Sequence, residues 1–194
     1  MQYRLNKSQL LEILVNWNRY LRRPVHLIAC GGTAMTLLGV KASTKDVDFM
    51  VPDVGEHRYL TERLTSLGYE QVSGSGWQRH GEPFRFDLFS GNRIHTTELL
   101  ETPLLEGRNR PLARYSRLYV GILNDDDLIA SKLMRGTQVD FEDCVMLFEA
   151  HRGEIDIERL REHFRGLIQY DVNPERLRPH FDHFHRLLEE KGLS

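Results

Sequence analysis

The sequence predicts an α/β front followed by a helical back, with the boundary near residue 120. Two patterns lead to this. Up to about residue 120, short apolar runs are punctuated by glycine and proline; from Asp125 onward, apolar residues recur at three- and four-residue spacing. A third observation sets the scale: 194 residues, 40% hydrophobic and 28% charged, suit one compact domain or a core domain with a helical appendage.

The elements follow in order. Ser8 is placed to cap a helix reaching Leu21, with Leu10, Leu11, Leu14, Trp17 and Leu21 on one face and Pro24 beyond its end. Val25 to Cys30 reads as a strand, Gly31-Gly32-Thr33 as a turn, and Ala34 to Leu38 as a short helix closed by Gly39. A second strand runs from Lys45 to Val51 and stops at Pro52. A helix over residues 55–67 ends at Gly68. Residues 69–95 hold short strands, of which Phe84 to Phe89 is the best defined, and residues 102–118 read as irregular. Helices are predicted near 125–135, 140–151, 156–168 and 174–191, separated at Gly136, Gly153 and Asn173-Pro174.

Composition excludes several classes. A balance of 26 Lys plus Arg against 28 Asp plus Glu, net -2, does not suit a basic nucleic-acid wrapper, although a local basic groove stays open. The two cysteines, Cys30 and Cys144, sit in apolar runs and read as buried thiols, not as a disulfide framework. No run reaches the roughly 18 apolar residues of a membrane helix. The amino end, Met1 to Lys7, carries no apolar signal core. The expectation is a soluble cytoplasmic protein without a membrane partner.

Asp46 and Asp48 stand two apart in Lys45-Asp46-Val47-Asp48-Phe49-Met50-Val51. A strand period of two puts both carboxylates on one face and sends Val47, Phe49 and Val51 to the other. Two such carboxylates repel unless a cation lies between them, and Mg²⁺ suits oxygen ligands shared with water and phosphate. Asp87, beside Arg85 on a later strand, repeats the pattern. If the strands are neighbours, three carboxylates converge. The alternative for each is a polar residue on the solvent face of a half-buried sheet. Upstream, Gly31-Gly32-Thr33 lets backbone approach a ligand closely, or is an ordinary turn.

These residues in this order, Cys30-Gly31-Gly32-Thr33, Asp46-Val47-Asp48 and Asp87, resemble the signature of the nucleotidyltransferase superfamily with the DNA polymerase beta-type fold. Within it, the chain looks like the minimal nucleotidyltransferases related to the AbiEii toxins of type IV toxin–antitoxin systems and their uncharacterised bacterial relatives. The likeness extends to Asp127-Leu128-Ile129-Ala130-Ser131-Lys132-Leu133, Asp140 and Asp143. It departs at Ala42 and Val139, where relatives carry Arg and Lys.

The resemblance implies a mixed sheet flanked by helices over residues 1–120 and a helical region over 121–194. It implies transfer of a nucleoside monophosphate from an NTP to a hydroxyl, dependent on Mg²⁺ or Mn²⁺. Asp46, Asp48 and Asp87 would hold the metal, and Asp87 would help activate the acceptor. Gly31, Gly32 and Thr33 would seat the β- and γ-phosphates. Lys132 would reach the triphosphate, or be a structural lysine that snorkels to water, and Asp143 would orient Lys132 or support the fold. The acceptor is a small molecule, an RNA end or a protein hydroxyl, and an antitoxin-like protein is a possible partner. Ala42 and Val139 keep a second reading open: a degenerate member of the fold serving as a binding module or toxin–antitoxin-type interaction protein.

Among the remaining features, Arg108, Arg110, Arg114 and Arg117 read as solvated loop charges or as contacts to a phosphate-bearing acceptor. Trp77 reads as a core aromatic or a stacking platform. His180, His183 and His185 read as packing or solvated residues, because nothing in their spacing closes a zinc shell.

Overall fold

The computed structural model describes residues 3–193. Met1 and Gln2, part of the amino end read above for a targeting signal, and Ser194 lie outside them. The fold is mixed α/β, and the chain divides into two compact units. One gathers the residues up to His95 with Glu101–Leu123. The other gathers Thr96–Leu100 with the residues from Asn124 onward.

The first unit contains α1 (Lys7–Tyr20), β1 (Val25–Ala29), α2 (Gly31–Leu37), β2 (Val47–Val51), α3 (Val54–Ser66), β3 (Tyr69–Gln71), β4 (Gly76–Arg79), β5 (Phe86–Ser90) and the two-residue β6 (Arg93–Ile94). After β7 (Thr97–Glu98) of the second unit, it resumes with β8 (Asn109–Arg114) and β9 (Leu118–Leu123). Among the described residues, seven strands form one sheet in the order β3-β4-β5-β2-β1-β9-β8. β2 runs parallel to β5 and antiparallel to β1, while β1 runs parallel to β9. The central strands are buried on both faces, which explains the continuous apolar runs Leu27 to Ala29 and Phe49 to Val51. On the face opposite Asp48, Trp17 of α1 lies over Phe86, their rings 4.4 Å apart, and meets Tyr69 edge-on.

Several boundaries differ from expectation, each for a local reason. α1 is capped by Asn6, not Ser8. The Asn6 side chain accepts from the Gln9 N–H while the Gln9 side chain accepts from the Asn6 N–H, which is a capping box. Gly31-Gly32-Thr33 is not a free turn but the first turn of α2, with Ala34 N–H donating to Cys30 C=O. β2 starts at Val47, so Asp46 lies in the bend before it and is exposed. Residues 102–118 are not irregular throughout. β8 forms there as an edge strand, where Pro111 needs no ladder hydrogen bond, and a bulge between Pro111 and Ala113 breaks the alternation. β9 completes the apolar centre just before the helices begin. Trp77 is paired with Phe86 and is 8% exposed, which supports the core reading.

The second unit is built on α4 (Asp125–Arg135), α5 (Gln138–Ala150), α6 (Ile157–Ile168) and α7 (Pro174–Glu190). Its apolar interior includes Leu133, Phe148, Leu160, Phe164, Phe181 and Phe184. Asn124, Thr137 and Asp156 cap α4, α5 and α6. His180 bonds through Nδ1 to Leu133 C=O at 2.7 Å, and His183 packs edge-on against Phe141, so these two histidines hold helices together. No helix among the described residues is long and apolar enough to cross a membrane.

Candidate functional site

The sheet register decides which carboxylates meet. β2 and β5 are parallel neighbours, and Asp48 stands opposite Asp87. Residues in register on a parallel pair share a face, so both carboxylates project from the same side of the sheet. Both are buried, at 7% and 6% exposure. Burying two anions side by side is costly unless positive charge or hydrogen-bond donors offset it. At Asp87 both kinds of partner are present. Ser75 Oγ donates to Oδ1 at 2.8 Å, and the Arg85 guanidinium lies 3.4 Å from Oδ2.

Asp48 is placed by α2. Gly31 takes a φ of +55°, and a Cβ built there would lie 2.5 Å from Asp48 Oδ2. Only glycine leaves room for the carboxylate against the helix start. Gly32 is constrained by space alone, because a Cβ there would lie 2.8 Å from Thr44 Oγ1. Thr33 is fully buried, and its hydroxyl works in two directions. It donates to Asp46 C=O at 3.0 Å and accepts from Asp48 N–H at 2.9 Å. Thr44 Oγ1 donates to the same Asp46 carbonyl at 2.7 Å. Reciprocal backbone bonds between Thr44 and Leu5 fix this segment from outside.

The structure therefore brings Asp48, Asp87 and Gly31 together, with Thr33 and Gly32 supporting them. Asp46 sits at the exposed lip before β2. Among the described residues no group of three or more His, Cys, Asp and Glu side chains is arranged to hold a metal ion. The donor chemistry of the Asp48–Asp87 pair still fits a hard divalent cation: two carboxylates in register, with a guanidinium in the position of a counter-cation. Ser75, Arg85 and Thr44 were not singled out as site residues from the sequence. Arg85 had a usable signal, since alternation puts it on the Asp87 side. Ser75 had none, because it reaches Asp87 from the bend before β4, and Thr44 had none, because its bond to the Asp46 carbonyl depends on how the loop before β2 bends.

Lys132 belongs to the helical unit. It is 2% exposed, donates to Asp143 at 2.8 Å and lies 3.9 Å from Asp140. Asp140 also pairs with Arg135 and completes the capping box with Thr137. In this structure the ammonium of Lys132 is committed to the α4–α5 corner.

No protein-family model and no curated protein matches the sequence. Solved structures do match the fold. ANT(2")-Ia, crystallised with adenylyl-2"-tobramycin, is 19% identical at a TM-score of 0.55, over 82% of this chain and 98% of that one. The solution structure of ANT(2'')-Ia, described as an antibiotic-resistance factor, is 16% identical at 0.53, over 97% and 98%. MenT4, a nucleotidyltransferase toxin from Mycobacterium tuberculosis H37Rv, is 15% identical at 0.36, over 95% and 91%, a likeness too distant to bear on a toxin role. At these identities the likeness is one of fold: this chain is folded like ANT(2")-Ia.

Proposed function

We propose that the chain is a divalent-metal-dependent nucleotidyltransferase that moves a nucleoside monophosphate from an NTP to a hydroxyl group. The observation that carries this reading is the in-register pair Asp48–Asp87 beside a glycine whose missing Cβ makes room for Asp48. Asp48 and Asp87 would hold Mg²⁺ or Mn²⁺, with Asp46 at the lip as a further oxygen donor. The metal would supply charge neutralisation on the phosphate oxygens. Gly31 and Gly32 would let backbone approach the β- and γ-phosphates. Thr33, whose hydroxyl is spent on the Asp46 carbonyl and the Asp48 N–H, contributes by holding the backbone that carries Asp48.

In the reaction the acceptor oxygen forms a bond to the α-phosphorus as the bond to the pyrophosphate oxygen breaks. The hydroxyl proton passes to Asp87. Positioning and electrostatics account for most of such catalysis. Lys132, enclosed by Asp143 and Asp140, is assigned to the integrity of the helical unit. The fold likeness to a protein crystallised with an adenylylated tobramycin supports a small-molecule hydroxyl as the first acceptor class to test.

One observation favours the rival reading of a degenerate binding module: Asp46 lies outside β2, exposed, in place of a third inward carboxylate. The experiment that separates the two incubates the purified chain with Mg²⁺, each α-labelled NTP and acceptors from three classes: aminoglycosides, RNA ends and protein extract. Label transfer abolished by Asp48→Asn and Asp87→Asn supports the enzyme. Absence of both nucleotide binding and transfer overturns it.

A further inference from the structure

Arg85 is a site residue whose partner must change if Asp87 takes up a cation. Its stem crosses β4 where Gly76 has no side chain: a Cβ there would lie 2.9 Å from Arg85 Cδ and 2.4 Å from Ser73 Oγ. Gly76 faces Asp87 across the β4–β5 ladder, so the bare glycine opens the path that brings the guanidinium to the carboxylate. The guanidinium ends 3.4 Å from Asp87 Oδ2, yet the side chain is 48% exposed. Asp87 itself is buried and keeps its second oxygen on Ser75. The anion is therefore fixed and the cation is movable.

We infer that Arg85 is a nucleotide-phosphate-binding residue that occupies Asp87 as a surrogate cation until the metal–nucleotide arrives; this rests on the function proposed above. A divalent ion at Asp87 would both neutralise its attraction for Arg85 and repel the guanidinium. The displaced fork stays within reach of the same rim on its flexible stem. A nucleotide triphosphate entering with the metal offers the planar, bidentate oxygen pattern that guanidinium matches best. The same side chain thus opposes binding of the bare metal and favours binding of the metal–nucleotide.

That pair of opposite effects is the test. Mn²⁺ affinity is measured by electron paramagnetic resonance without nucleotide, and affinity for a non-hydrolysable NTP by calorimetry in saturating Mg²⁺. These are done on wild type, Arg85→Ala and Arg85→Lys. Loss of the competing cation in Arg85→Ala is expected to tighten Mn²⁺ binding about 2- to 5-fold, the scale of a half-exposed ion pair. Loss of a charge-assisted contact is expected to weaken NTP binding by about 10-fold or more. Arg85→Lys, which keeps the charge without the fork, should hold Mn²⁺ affinity near wild type and recover only part of NTP affinity. If both affinities move in the same direction, or neither moves, Arg85 is only a structural partner of Asp87 and the inference fails. Wild type that binds neither Mn²⁺ nor NTP would instead sink the nucleotidyltransferase reading itself.

Discussion

Gly31→Ala is the sharpest probe of how the fold builds the carboxylate pair. Two costs are separable. The first is backbone: at φ +55° an alanine occupies the left-handed region, costing about 1–2 kcal/mol. The second is contact: the new Cβ would lie 2.5 Å from Asp48 Oδ2, so the carboxylate must retreat by roughly 1 Å from a buried position. Overpacking of this kind costs about 1–3 kcal/mol. Gly39→Ala supplies the control, because its φ is +81° and a Cβ there meets nothing within 4 Å. Urea denaturation of both variants should show Gly31→Ala less stable than Gly39→Ala by the contact cost alone. In an Asp48→Ala background that excess should vanish, since the double-mutant cycle removes the atom being struck. Equal losses in the two glycine variants, or an excess that survives Asp48→Ala, would refute the packing of α2 on Asp48. The displaced carboxylate should also weaken Mn²⁺ binding in Gly31→Ala but not in Gly39→Ala.

Thr33→Val deletes the hydroxyl between Asp46 C=O and Asp48 N–H, and its cost in urea should be about 1–3 kcal/mol, with Thr33→Ser recovering most of it. Lys132→Met leaves Asp143 and Asp140 facing each other in a closed corner, for an expected loss of about 3–5 kcal/mol; Lys132→Met with Asp143→Leu should regain much of it, and a loss below 1 kcal/mol for the single variant would contradict the assignment. Burial lowers the His57 pKa below its ordinary 6.5, against a smaller opposing effect of the bond to Leu88 C=O. The unfolded chain therefore binds the proton more readily, so this contribution to stability is present above about pH 6.5 and is lost as pH falls towards the folded value. His57→Gln should flatten the fall in urea midpoint between pH 7.5 and 5.5 relative to wild type. Burial also pushes the Cys144 thiol far up, so native protein at pH 8 should resist a thiol reagent that labels it readily in urea.

The fold class was legible because it rests on periodicity. The buried runs of β1 and β2 and the amphipathic stripes of α6 and α7 each declare their element without knowledge of neighbours. Edges were less legible. β8, Asn109–Arg114, carries a proline, a bulge and three polar residues, and it is a strand only because β9 offers it a ladder. Asp48, Asp87 and Gly31 could be picked out as residue types, but their meeting depends on β5 pairing with β2, and no local pattern encodes strand order. Asp46 shows the limit of the period-two rule. It places a side chain only where the strand continues, and here Thr33 and Thr44 take the Asp46 carbonyl out of the ladder.

The acidic clusters of the helical unit also differ in kind from the candidate site. At the start of α4, Asp125 pairs with His151, Asp126 with Arg159 and Asp127 with His163. Asp143 and Asp140 take Lys132 and Arg135. Of these partners, Lys132, His163 and His151 have side chains only 2%, 10% and 13% exposed, so they are enclosed with the carboxylates they meet. The cation at Asp87 is placed differently: Arg85 is half-exposed and its stem crosses a glycine. A buried carboxylate whose counter-charge is also buried stabilises a fold only in that fixed pairing. A buried carboxylate whose counter-charge can be exchanged is suited to bind a ligand. By that criterion the acid-rich start of α4, with more carboxylates in sequence than the β2–β5 site, is scaffold, and the sparser pair Asp48–Asp87 is the place to look for chemistry.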